Sequence, residues 1–240
     1  MSLRIATHAR ICTSFTAAAE TRLLAWIAVR LPNWITSDSL SALGLAAMCA
    51  AGLSFAALRW TPWAAAAVVL SLALNWFGDS LDGTVARVRR QERPRFGYYV
   101  DHVVDLAGTT LLMAGVALSG LMHPTLALAV LGAYLLVSAE SYLTTHACGV
   151  FRMSFLGFGP TELRVALAVG ALEAARSPWI QLFDSAPVRL FDVAGVVATA
   201  GLTTAFATAA IRNARALHRA EPLPRAATPS AASAARAKAA

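Results

Sequence analysis

Six long, nearly uninterrupted apolar stretches divide the chain, each bounded by Pro, Gly, Arg or Asp. The first runs from about Asp38 to Leu58, the second from Thr61-Pro62 past Asn75 into an acidic motif, and the third from Gly97 to Leu121. The fourth follows Pro124 and ends around Gly149, the fifth begins at Pro160 and weakens towards Ser177-Pro178, and the sixth spans Arg189 to Ile211. A bilayer's hydrocarbon core needs ~20 apolar helical residues, so each stretch reads as a transmembrane helix. The fifth is the weakest, because Glu162, Arg164 and Glu173 dilute it. Thr36, Ser37 and Asp38 offer side-chain oxygens to cap the first.

Upstream, residues 17–31 have a helical period. Leu23, Leu24, Ile27 and Leu31 fall on one face, Trp26 lies nearby, and Glu20, Arg22 and Arg30 take the polar side. That pattern suits a helix lying on a membrane surface; a helix packed on the domain is the alternative. Pro32 and Asn33 end it. Residues 88–96 form a polar loop, and beyond Leu217 the chain is mostly Ala, Pro, Ser and Arg. Such a tail buries too little apolar surface to offset its ordering entropy, so disorder is expected. The pattern therefore predicts an all-α polytopic membrane protein. Residues 1–36 are expected to form a cytoplasmic segment with an interfacial helix, 37–216 a six-helix transmembrane domain, and 217–240 a disordered cytoplasmic tail. No internal repeat is visible.

Composition agrees with the membrane reading: 58% of residues are hydrophobic and 14% charged, against about 25% charged in soluble chains. The net charge of +7 comes almost entirely from arginine. These arginines flank apolar spans instead of lining a soluble face, which points to orientation and anionic headgroups and away from nucleic acid. All but three of the twenty basic residues (Arg59, Arg176 and Arg189) fall in the segments on one side of six spans. Both termini are therefore expected in the cytoplasm, in a cell (inner) membrane protein. Cys12, Cys49 and Cys148 have neither disulfide nor metal spacing. Glu20 and Arg22 interrupt any apolar core near the amino terminus, so no signal peptide is expected.

Four aspartates carry the chemistry. Asp79 and Asp82 stand three apart at the end of the second span, and Asp101 and Asp105 four apart at the start of the third, so each pair shares a helix face. Asp79 lies ~27 Å along a helix begun at Thr61, near the cytoplasmic edge, and the third span returns from that same edge. The pairs should meet at similar depth and cage hard divalent cations. Gly83 and Ala86 leave a gap beside them, and Arg87 offers a fork of donors suited to phosphate. Metals, a phosphate-binding arginine and room for a nucleotide point to phosphoryl transfer.

The segment Asp79-Ser-Leu-Asp82-Gly83-Thr-Val-Ala86-Arg87, followed by Gly97, Asp101 and Asp105, resembles the signature of the CDP-alcohol phosphotransferase family. Every defining residue type is present. One spacing departs: nine residues separate Arg87 from Gly97, one more than usual, in a polar loop that tolerates insertion. Gly159-Pro160-Thr161-Glu162 is similar to a segment of many members, and Ser37-Asp38-Ser39-Leu40-Ser41 is a loose match to another.

The resemblance implies a membrane enzyme that transfers a phosphatidyl group from a CDP-linked lipid donor, such as CDP-diacylglycerol, to an alcohol acceptor, releasing CMP. It implies two divalent cations, Mg2+ or Mn2+, and a homodimer. Asp79, Asp82 and Asp101 would be metal ligands, and Asp105 the ligand or base that takes the acceptor's proton. Gly83, Ala86 and Arg87 would hold the cytidine diphosphate. The rival reading is a cation or proton transporter using the acidic cluster as a relay, which would need acidic groups at several depths; a decayed, non-catalytic scaffold would have lost an aspartate. His102, one step or ~100° from Asp101, is expected at the interface or facing lipid. Arg89, Arg90, Arg93 and Arg95 read as topology markers and headgroup contacts, with a phosphorylated acceptor as another use. Glu140 lies within the fourth span and needs a partner, for which Arg164 or Arg152 is available, with lining of the acceptor pocket as the other use. Trp60, Trp63 and Trp179 read as an aromatic belt.

Overall fold

The computed structural model describes residues 9–11, 17–148, 150–152, 160–181 and 186–221. Its chain contacts fall into two units, residues 1–206 and 207–240. Seven helices make up most of the described residues: α1 (Ala17–Arg30), α2 (Ser37–Ala57), α3 (Ala64–Val88), α4 (Pro94–Ser119), α5 (Pro124–Cys148), α6 (Pro160–Arg176) and α7 (Leu190–Ala220). Two minimal ladders accompany them: β1 (Ala9–Ile11) pairs in parallel with β2 (Val150–Arg152), and β3 (Trp179–Ile180) antiparallel with β4 (Val188–Arg189).

Helix boundaries follow local chemistry. α2 opens on a reciprocal cap: Thr36 Oγ1 accepts from the Ser39 amide, and Ser39 Oγ accepts from the Thr36 amide. Both hydrogen bonds satisfy amides that the first turn leaves orphaned. α3 stops where Arg90 turns left-handed at φ 56°, with the Gln91 amide donating back to the Ala86 carbonyl at 2.9 Å. α4 starts three residues earlier than the apolar pattern indicates, because Pro94 suits a first helical position. It ends at Gly120, whose φ of 76° favours glycine.

Among the described residues five helices, α2, α3, α4, α5 and α7, are long and apolar enough to cross a membrane. The protein is thus a multi-pass, mostly helical membrane protein. α6 falls outside that set: it has 17 residues and carries Glu162, Arg164, Glu173 and Arg176. α7 is longer than the apolar run indicates, continuing through Arg212, Arg215 and Arg219 to Ala220. Those three arginines share one face of its final turns, inside the second unit. The disorder expected over residues 217–240 does not hold at its start, because residues 217–220 continue α7; residues 222–240 lie outside the described residues.

Two apolar clusters organise the first unit. The larger joins Ala51 and Phe55 of α2, Val68 and Leu72 of α3, Leu112 and Val116 of α4, Ala171 of α6 and Phe191 of α7. Phe55 and Phe191 meet edge to face there, with ring centroids 5.8 Å apart. The smaller joins Leu24 and Ala28 of α1 to Leu40 of α2 and to Leu81 and Val85 of α3. Of the face expected to lie on lipid, Leu24, Ile27 and Leu31 therefore pack against protein, while Leu23 and the neighbouring Trp26 are exposed, as is Val29. Arg89 fastens this arrangement by donating to the carbonyls of Ile35 (2.6 Å), Leu31 (2.9 Å) and Pro32 (3.1 Å) just beyond α1.

Glycines set how closely the central helices approach. A Cβ on Gly115 of α4 would lie 1.9 Å from the Gly52 carbonyl oxygen of α2. One on Gly78 of α3 would lie 2.6 Å from the Leu40 carbonyl oxygen and 2.8 Å from the Gly44 amide of α2. Two backbone-to-backbone seams thus clasp α2 between α3 and α4, the two helices that carry the aspartates. Small residues allow such approach between membrane helices, where apolar burial gives little drive.

Candidate active site

On α3, positions 75, 79, 82 and 86 lie within one narrow stripe at 100° per residue. Leu81 and Val85, beside that stripe, join the cluster with α1 and α2. Asp101 and Asp105 sit one turn apart near the start of α4. Among the described residues, Asp79, Asp101 and Asp105 each offer a carboxylate oxygen, and these oxygens lie within 4.8 Å of one another. Three hard oxygen donors at that spacing fit the preferences of Mg2+ or Mn2+. The cross-helix meeting expected from the sequence is present for this trio.

Asp82 is not in that group. Its Oδ2 accepts a hydrogen bond of 2.6 Å from Ser41 Oγ on α2, and its Oδ1 accepts from the Gly83 amide. A carboxylate has about four lone-pair positions, so both contacts leave acceptor capacity on Asp82. Arg87 is exposed and folds back, donating to Thr84 Oγ1 at 3.0 Å. A Cβ on Gly83 would stand 3.3 Å from its terminal nitrogen, so the missing side chain gives the guanidinium room beside Asp82. Ala86 is half-buried on the same turn, and Gly97 is exposed with open space around it.

Arg164 is a member of the site that the motif does not announce. It donates through Nε to Asn75 Oδ1 at 2.7 Å and pairs through a terminal nitrogen with Asp79 Oδ2. Asn75 in turn donates to the Gly44 carbonyl at 3.0 Å. Arg164, an expected partner of Glu140, pairs with Asp79, and Thr144 Oγ1 donates to Glu140 at 2.7 Å. Arg152 has no described side chain.

His102 is buried, not facing lipid. Its ring lies 4.1 Å from that of Tyr98 and 4.8 Å from that of Tyr142, between centroids. Nδ1 sits 2.6 Å from the Tyr98 carbonyl, an acceptor only, so Nδ1 carries the proton. The loop arginines are partly structural. Arg93 pairs with Asp38 at the head of α2 and lies over Phe96 at 4.2 Å, and Arg89 holds the end of α1. Trp60, Trp63 and Trp179 are all exposed, as an aromatic belt requires.

A helical membrane fold that gathers carboxylates from two adjacent spans beside a glycine and an arginine is suited to an integral-membrane transferase of phosphate-linked groups. The CDP-alcohol phosphatidyltransferase family model matches residues 29–205, and the chain belongs to that family. It is accordingly a transferase of substituted phosphate groups, moving a phosphatidyl group from a CDP-linked lipid to an alcohol in phospholipid synthesis. Among solved structures it resembles the Mycobacterium tuberculosis phosphatidylinositol phosphate synthase with CDP-DAG bound. That match has a TM-score of 0.52 and 20% identity, and covers 86% of this chain and 100% of the other. At that identity the likeness concerns the fold. No curated protein matches the chain.

Proposed function

We propose that Asp79, Asp82, Asp101 and Asp105 hold two divalent cations, Mg2+ or Mn2+, and that Asp105 also receives the acceptor's proton. The observation that carries this reading is the convergence of Asp79, Asp101 and Asp105 from two helices onto one small volume. When bound, such ions neutralise diphosphate oxygens and lower the proton affinity of a nearby hydroxyl. The donor is CDP-diacylglycerol or a close relative. Arg87 donates to its diphosphate, while Gly83 and Ala86 leave the backbone open to the cytidine side. The acceptor oxygen attacks the phosphatidyl phosphorus as its proton passes to Asp105; a new P–O bond forms, the P–O bond to CMP breaks, and CMP departs. Ser41 fixes the Asp82 carboxylate through its hydrogen bond.

The same reading assigns residues 37–216 to the catalytic domain and counts α6 as a sixth, short span. Pairing with Asp79 lessens the penalty of placing Arg164 in the membrane. Six crossings put both termini and the carboxylates at the cytoplasmic face of the cell membrane, where the arginine excess lies. The protein works as a homodimer.

The deciding experiment supplies purified protein with radiolabelled CDP-diacylglycerol, Mg2+ or Mn2+, and a panel of alcohols, and scores CMP release. Asp105→Asn should reduce release by at least about a thousandfold, since it removes both a ligand and the base. Turnover retained within tenfold by a folded Asp105→Asn protein would remove Asp105 from its role.

A further inference from the structure

Arg164 reaches the carboxylate centre from α6, a helix that supplies none of the proposed ligands. Its guanidinium is gripped twice, through Nε by Asn75 and through a terminal nitrogen by Asp79. Asn75 is itself fixed to the Gly44 carbonyl, so the fork rests on a frame built by α2 and α3. The Arg164 side chain is only 14% exposed, which limits solvent screening. The carboxylate it holds is one of the three that share a volume less than 5 Å across. Three anions so close repel one another, and a neighbouring cation offsets that repulsion. A divalent cation offers the same compensation, and two cations drawn to one carboxylate repel each other. Arg164 and a metal ion therefore compete for Asp79.

We infer that Arg164 is a resident counter-ion, a positioning residue that holds Asp79 in place while the centre lacks a metal and yields the Asp79 oxygen to a divalent cation. Asn75 keeps Nε throughout, so the released nitrogen stays at the edge of the site and becomes a free donor there. A lysine could not do this, because an ammonium on a flexible stem does not span Asn75 and Asp79 in one planar fork. The inference rests on the reading of the aspartates as metal ligands, and it gives α6 a part in ion binding.

Mn2+ binding to the full chain in detergent, without nucleotide or lipid substrate, tests it by electron paramagnetic resonance titration. Arg164→Gln keeps polarity and removes the charge, and should bind Mn2+ roughly threefold to tenfold more tightly than the unaltered protein, the order by which one close charge shifts an ionic equilibrium. Arg164→Lys, which keeps the charge without the fork, should tighten binding less. A residue that merely braced the fold would weaken binding when lost. Unchanged or weaker Mn2+ binding by Arg164→Gln, with helicity and melting midpoint preserved, would overturn the inference. If that variant does not fold, unchanged or weaker binding by Arg164→Lys does the same. Asp101→Asn separates the two levels of argument: it should lose Mn2+ binding. If it binds like the unaltered protein, or if the unaltered protein binds no Mn2+, the ligand assignment fails and the counter-ion role falls with it.

Discussion

Asp82 shows what a residue's partners add to its place in a motif. Spacing sets it with Asp79 on one helix face, yet its carboxylate is held from a third helix by the Ser41 hydroxyl at 2.6 Å. A hydrogen bond to a charged group contributes about 1.5–3 kcal/mol, enough to fix which way the carboxylate points. Ser41→Ala should therefore lower kcat/KM by about tenfold, while Ser41→Thr, which keeps the hydroxyl, should stay near the starting value; equal losses in both would mean that the hydroxyl is not what matters. The aspartates were legible because both their chemistry and their periodicity lie within 27 residues of chain. Ser41, Asn75 and Arg164 were not, because each acts through a partner 31 to 89 residues away. No local pattern encodes such a pairing. His102 was misjudged for a related reason: rotation by one residue does turn it off the aspartate face, but Tyr142 of α5 covers that side.

Between elements, close approach governs the site. Adding a methyl group at Gly115 would bring it to 1.9 Å from the Gly52 oxygen, and neither backbone has a flexible atom to move aside. Overpacking of this kind costs about 1–3 kcal/mol. Gly115→Ala should lower the melting midpoint in detergent, whereas Gly132→Ala on α5, where nothing lies within 4 Å, should leave it unchanged or raised. Equal midpoints for the two variants would show that the seam has slack. Helix positions were readable from Pro, Gly and the apolar runs, and most ends fall within three residues of expectation. The seams were not, since a glycine in an apolar run gives no sign of which backbone lies against it. α1 was legible as a helix, with docking on the membrane surface or on the domain both open. Its leucine face suits lipid and protein equally, and what decides between them is Arg89, far along the chain, gathering three carbonyls at the helix end.

At the scale of the molecule, topology turns on α6. Five crossings would separate the termini, and six would place them together. Reporter fusions that light up on only one side of the membrane should give the same side for the carboxyl terminus and for the loop at residues 89–93, and the opposite side for residues 121–123. A carboxyl terminus on the side of 121–123 would mean that α6 does not cross. The membrane class and the reaction type were legible early, because composition and one motif suffice for each. The alcohol is a different matter. It is selected by side chains that converge only in the folded bundle.

The clasp on α2 also bears on how such an enzyme could acquire a new substrate. A contact between two main chains leaves no side-chain volume to trade, so no compensating substitution on the facing helix can relieve a change there. Diversification is thereby pushed outwards, onto α5 and the connecting loops, whose side chains can be exchanged one at a time. The reaction centre stays frozen while the surrounding wall is free to drift, so one inherited chemistry can be refitted to many alcohols.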